Sequence, residues 1–163
     1  MPLRQGKSWQ YYLKGPRGSK VVQVTVSERC RVGVDDGWLL DGVAGQSRLV
    51  WKGSSLFASE LTAVRFDPPI ELLKPSTETA SWNYTGECDG RIARVPVSGK
   101  LKQKPEKLTV GGVARDCIRV TLEIKIGTAN TVLDSWFSKG IGIIRQEQRI
   151  NESQVALLEL VSS

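Results

Sequence analysis

Apolar and polar residues alternate along most of this chain with a period of two. The longest run covers residues 112–126. There Ala114, Asp116, Ile118, Val120, Leu122, Ile124 and Ile126 share one side, and Val113, Arg115, Cys117, Arg119, Thr121, Glu123 and Lys125 share the other. This is the pattern of an antiparallel strand with one face on a core and one in water. Asp116 is the odd residue, an acid on the apolar-reading side. Residues 135–145 follow, with Trp136 and Phe137 set before Gly140-Ile141-Gly142. Glycines within a strand mark a bulge, a bend or a close approach. The bent centre of a sheet is expected here, with one of the two aromatics turned inward.

The same period recurs upstream. Trp9, Tyr11 and Leu13 fall on one face of residues 7–14, and Val22, Val24, Val26, Cys30, Val32 and Val34 stay in register over residues 20–34. Asp35-Asp36-Gly37 carries the chemistry of a tight hairpin turn. Short strands are expected at 38–40 and 48–51, with another within 56–66. Pro68-Pro69 fixes an extended path and removes two donors, so residues 67–75 read as a crossing segment between two halves. Strands resume at 80–84 and 91–97 around a turn at Asp89-Gly90. A polar link then leads to 108–110, and 130–137, 140–150 and 154–161 complete the set. No apolar stripe of helical period extends over ten residues.

The prediction is an all-β fold, an antiparallel meander of about ten to twelve strands curled into a half-barrel or flattened barrel, with little helix. One domain over residues 1–163 is expected, with pseudo-repeated halves at 1–66 and 76–163 joined by 67–75. Ser8-Trp9-Gln10-Tyr11 and Ser81-Trp82-Asn83-Tyr84 carry the same Ser-Trp-x-Tyr pattern near the start of each half.

Composition narrows the chemistry. The chain has 163 residues and no histidine, which removes Ser-His-Asp and Cys-His catalysis and histidine-ligated zinc. Its three cysteines, Cys30, Cys88 and Cys117, have no Cys-x-x-Cys spacing, so no metal or cofactor is implied. Cys30 and Cys88 read on apolar faces and Cys117 on a polar one; a Cys30–Cys88 bridge and three free thiols both remain open. The net charge of +6 permits attraction to anions. Its densest cluster, Lys100, Lys102, Lys104 and Lys107, lacks interleaved aromatics and reads as a solvated loop, so no specific nucleic-acid partner is expected. No apolar run reaches the roughly 18 residues of a membrane-spanning helix. Residues 1–6 contain no apolar signal core. The chain is therefore either cytoplasmic or preceded by a signal removed upstream.

Four stretches resemble an uncharacterised bacterial cell-envelope domain family. They are Pro2-Leu3 with Gly6, Trp9 and Tyr11; Asp67-Pro68-Pro69-Ile70-x-Leu72-Leu73; Gly111-Gly112-Val113-x-x-Asp116-Cys117-Ile118-Arg119-Val120; and Trp136-Phe137-x-x-Gly140-Ile141-Gly142-Ile143-Ile144-Arg145. They occur in the family's order over nearly the whole chain. One departure is Pro75-Ser76-Thr77-Glu78-Thr79, where the family carries a glycine before the second tryptophan. The resemblance implies a location outside the cytoplasm, often behind a lipoprotein signal, and a fold similar to the half-barrel of periplasmic lipoprotein carriers.

Two function classes follow. One is a non-catalytic structural or interaction module of the envelope, partnered by another envelope protein. The other is a carrier holding a lipid-like ligand against the concave face of the sheet. Trp9, Tyr11, Trp82, Tyr84, Trp136, Phe137 and Ile143 are the candidate lining of such a face. A filled core and a pocket wall share this composition, so cavity volume decides between the classes.

Overall fold

The computed structural model describes residues 1–89, 92–126 and 128–162. Twelve strands succeed one another: β1 (Ser8–Gly15), β2 (Gly18–Val32), β3 (Asp35–Gly42), β4 (Gly45–Lys52), β5 (Ser55–Leu61), β6 (Val64–Leu73), β7 (Ala80–Asp89), β8 (Arg94–Val110), β9 (Val113–Ile126), β10 (Ala129–Ser138), β11 (Gly142–Ile150) and β12 (Ser153–Ser162). Each pairs antiparallel with its neighbour in sequence, and β12 returns to pair with β1. The all-β antiparallel meander is as expected, and of the half-barrel and the flattened barrel read from the alternation, closure excludes the half-barrel. Tyr12 opposite Glu159 and Leu13 opposite Leu158 form the closing ladder. Closure leaves no free edge to recruit another strand.

Trp9, Val26, Leu56, Ile70, Leu101, Leu122 and Phe137 are among the side chains that fill the interior. The alternation that predicts this holds within most strands and fails at bulges. In β2 the pairing moves from Val26↔Leu40 to Glu28↔Leu39, so Ser27 is an extra residue. One inserted residue exchanges the two faces of everything beyond it. Cys30 and Val32, read in register with Val22 and Val26, therefore face outward. There Val32 joins Leu39 and Val50, which are buried yet stand outside the main core cluster. Gly37 lies in this region, inside β3 and not in the turn predicted for it. A Cβ there would meet Leu49 O and Val32 Cγ2 at 2.5 Å, so no larger residue fits. The turn itself is Gly33-Val34, with Gly33 at φ +62°.

Two other expectations change. The lysine cluster is not in a loop but on β8, which runs unbroken for 17 residues. Its inward positions include Gly99 and Gln103 beside Leu101, and this weak apolar signal hid the strand. The Pro-rich segment is mostly the second half of β6, with residues 74–79 as the actual connection. Of the turn read at Asp89-Gly90, Gly90 lies outside the described residues, as does Arg91.

The barrel is splayed at two seams. Between β6 and β7 the ladder consists of Phe66↔Cys88 and Asp67↔Glu87 alone. Pro68 and Pro69 have no N–H to extend it. Side chains take over: Tyr84 Oη donates to Pro68 O at 2.7 Å, and Trp82 Nε1 donates to Glu71 O at 2.9 Å. Gln103, fully buried, accepts from Lys74 N at 3.0 Å and donates to Ser76 O at 2.6 Å. At the second seam the β11–β12 ladder begins only at Arg145↔Glu159. Upstream of it Trp9 Nε1 donates to Ile141 O at 2.7 Å and Tyr11 Oη to Ile143 O at 2.9 Å. The two Ser-Trp-x-Tyr copies thus do the same work, each supplying donors to carbonyls that the ladder leaves open.

Candidate functional site

The interior holds a cavity of about 90 Å³, bordered by Trp9, Tyr11, Leu122, Leu133, Phe137 and Ile143. It extends to the β3–β4 turn, where Val43, half exposed, and Ala44 form its rim. Of the residues named from sequence, Trp9, Tyr11, Phe137 and Ile143 come together here. Trp82 and Tyr84 face inward as well, but stand at the β6–β7 seam and do not border the cavity.

Trp136 is a correction. Phe137, opposite Ile118 and Ile143, points inward, so Trp136, opposite Arg119 and Arg145, lies on the outer face. It is nonetheless only 5% exposed. Its ring is sandwiched between the guanidinium groups of Arg119 (4.9 Å) and Arg145 (5.3 Å), and its Nε1 donates to Glu106 Oε1 at 2.8 Å. Since Glu106 belongs to β8, the indole crosses over β9 and covers Cys117, the partner of Glu106 in the ladder. This explains why Cys117, on the side read as polar, is buried.

Sequence reasoning missed the polar members of the cavity wall. Ser135 and Gln146 border it and bond one another, Gln146 Nε2 donating to Ser135 Oγ at 3.0 Å. Counting back by two from Phe137 reaches Ser135 and Leu133, so the register was there to use. The polar types masked it. Tyr11 and Trp9 are likewise committed to backbone carbonyls. Burial pushes the Tyr11 phenol far above its ordinary value, and Tyr84 up to about 12. These groups stay neutral donors at any ordinary pH.

The acids are arranged differently from the expectation. Asp116 is not buried: its side chain is 91% exposed, 3.7 Å from Lys107. The fully buried acid is Asp134 on the outer face of β10. It accepts from Arg119 Nε at 3.0 Å, Thr121 Oγ1 at 2.5 Å and Arg149 Nη2 at 2.8 Å. Burial alone would raise its pKa. The hydrogen bonds from Arg119 and Thr121 and the two guanidinium charges outweigh that and hold it below the ordinary carboxylate value. Saturated by three donors, Asp134 is a structural anion. No cluster of three or more metal-ligating side chains occurs among the described residues.

The three cysteines are free thiols, each pushed up in pKa first of all by burial. Cys88 belongs to the inner core, whereas the Ser27 bulge has carried Cys30 to the outer face. The pairing considered from sequence therefore joins residues on opposite sides of the barrel wall.

No family model matches this chain, and no curated protein matches its sequence. Its fold has solved counterparts. The chain is similar to a putative lipoprotein from Parabacteroides distasonis ATCC 8503. The identity is 14%, 99% of this chain and 96% of that one are covered, and the TM-score is 0.59. The hypothetical lipoprotein YmcC from Escherichia coli K12 aligns over 96% of this chain and 84% of its own, at 10% identity and a TM-score of 0.48. At these identities the likeness is one of fold. No helix among the described residues is long and apolar enough to cross a membrane.

Proposed function

We propose that this barrel is a non-catalytic structural or interaction module of the bacterial cell envelope, working outside the cytoplasm. The observation that carries this reading is the size of the interior space. Pockets that hold drug-sized ligands measure about 300–1,000 Å³, and the space here is about 90 Å³. Tyr11, Ser135 and Gln146 on its wall already bond within the protein, so little remains to orient a ligand. The chain has no histidine, and among the described residues the buried acids Asp134 and Glu60 are held by arginines. Asp134 is held by Arg119 and Arg149, and Glu60 by Arg48 at 2.8 Å and Arg65 at 3.7 Å, which supports a non-catalytic reading.

The test is intrinsic tryptophan fluorescence, with Trp9 on the cavity wall as the internal reporter, titrated with palmitate and with phosphatidylglycerol below their aggregation limits. No saturable change is expected. A saturable change that disappears in a folded Phe137→Ala variant would reverse the assignment in favour of a carrier. That second reading rests on one feature, the rim at Val43 and Ala44, through which the cavity could widen.

A further inference from the structure

The outer surface of β7, β8 and β9 carries a shallow polar trough. One depression of about 430 Å³ lies among Ser81, Asn83, Lys100, Lys102, Arg119 and Thr121; a second of about 420 Å³ lies among Thr85, Ser98, Lys125 and Asn130. They share Asn83, Lys100 and Glu123, and so form one continuous track along the strands. Its position follows from the register. Leu101 and Gln103 point into the barrel, which puts Lys100, Lys102 and Lys104 in a row outside, about 7 Å apart at the two-residue repeat of a strand.

Most of the lysines on this track are uncommitted. Lys104 pairs with Glu106 at 3.1 Å, but Lys100, Lys102 and Lys125 have no ion pair among the described residues. Arg119 is spent on Asp134. Glu123 is the single acid on the track. Some basic residues elsewhere on the surface find acids, as Arg31 does Asp36, Lys52 Asp35 and Arg94 Asp67. Others, such as Lys14, Arg17 and Lys20, find none among the described residues, and what sets the track apart is that its lysines stand in a row along a depression. Between the lysines the exposed side chains are hydroxyls and amides: Ser81, Asn83, Thr85, Ser98 and Asn130.

We propose that this trough binds an acidic polysaccharide. A row of free ammonium groups complements carboxylates or phosphates repeated along a chain, and the interspersed hydroxyls and amides match sugar hydroxyls. The competing polyanions fit less well. Single-stranded nucleic acid is held on stacking aromatics, and the two aromatics that border the track, Trp82 and Tyr84, are turned inward and bonded to Glu71 O and Pro68 O at the β6–β7 seam. A bilayer presents a broad face to a surface, whereas this track is a depression confined to a few neighbouring strands of the barrel wall.

The test uses the intact protein and polygalacturonate as probe, with dextran, a mixed-sequence single-stranded DNA and phosphatidylglycerol vesicles as comparators, at low and at physiological salt. The informative variant is Lys100→Gln/Lys102→Gln/Lys104→Gln. Its control is Lys14→Gln/Arg17→Gln/Lys20→Gln at the β1–β2 turn, which removes the same net charge. The expected result is polygalacturonate binding that weakens with salt, falls about tenfold or more in the β8 variant and changes less than about twofold in the control. Unchanged thermal midpoints would show that both variants are folded, as their exposed positions predict. Equal losses in the two variants would mean net charge alone and overturn the proposal. So would no binding to polygalacturonate, or tighter β8-dependent binding to DNA or vesicles. None of these outcomes depends on whether the interior admits a lipid.

Discussion

The hydroxyl of Tyr84 donates to the carbonyl of Pro68 at 2.7 Å across the seam where β6 and β7 part. Gly86, two residues on, makes room for it. A Cβ at Gly86 would overlap both the Tyr84 hydroxyl and the Asp67 carbonyl. Tyr84 also sets its ring edge-on to Phe66, with centroids 6.0 Å apart. One side chain thus satisfies a carbonyl that the interrupted β6–β7 ladder leaves without a backbone donor. Tyr11 does the same for Ile143 at the other seam, at 2.9 Å.

Tyr84→Phe and Tyr11→Phe are therefore expected to destabilise the barrel by about 1–2 kcal/mol each, since each leaves a carbonyl short of its donor while preserving the ring. The two bonds lie at different seams, so the double variant should lose close to the sum. Urea denaturation followed by circular dichroism measures all three. A loss below about 0.3 kcal/mol in both single variants would show that water satisfies the carbonyls.

Asp134 should make stability depend on acid. Its pKa is depressed in the folded protein from the ordinary 3.8. A depressed carboxyl binds its proton more weakly when folded than when unfolded. Its contribution is thus fully present above the unfolded value and is lost as pH falls through the folded one. Between about pH 5 and pH 2, the thermal midpoint of the natural protein should fall more steeply than that of Asp134→Asn. At neutral pH that variant should be less stable by about 2–3 kcal/mol, somewhat under the usual cost of breaking a buried pair, because both arginines are partly in water. Parallel pH profiles for the two proteins would remove Asp134 from this role.

Trp136 and Phe137 should behave alike in truncation and differently in detail. Alanine at either position is expected to cost about 3–5 kcal/mol, since both are at least nine-tenths buried. Trp136→Phe keeps a ring between Arg119 and Arg145 but loses the bond to Glu106, at an expected cost of about 1–2 kcal/mol. It should also raise the Glu106 pKa. Burial opposes that carboxylate's charge, and the bonds from Trp136 and Lys104 hold it below the ordinary value. Carboxyl chemical shifts followed through an acid titration report the change.

Thiol counting should return three free groups after unfolding without reductant. In the native state all three should react slowly with a disulfide reagent, because burial disfavours each thiolate. One free thiol after unfolding would mean that two of the three are bridged, and a bridge mapped to Cys30 and Cys88 would refute the register after Ser27.

Much of this molecule is written locally. Residues 112–126 read as one strand and are one, because a ladder fixes side chains to alternate faces whatever the partners are. The closeness of the Trp-x-Tyr copies in pattern proved to be a closeness in use, since a donor-bearing aromatic on an inward face finds the same kind of open carbonyl at each seam. Lys100, Lys102 and Lys104 were misread because Gly99 and Gln103 occupy inward positions that an apolar count expects to be filled by branched residues. Gln103 is tolerated there only because Lys74 N, Ser76 O and Glu78 O meet it from a connection remote in sequence.

By itself the sequence determined the class of fold, the strand content, the absence of histidine chemistry and the inward placement of Trp9, Tyr11, Trp82 and Tyr84. Those properties depend on the period of two and on residue type, which act over a few neighbouring positions. Tertiary structure alone decided that the sheet closes, that Ser27 turns Cys30 outward and that Asp134, not Asp116, is the buried acid. It also set the interior space at about 90 Å³. Each of those depends on which strands meet. A one-residue bulge or an arginine reaching over from the next strand leaves no mark on the alternation of its own segment.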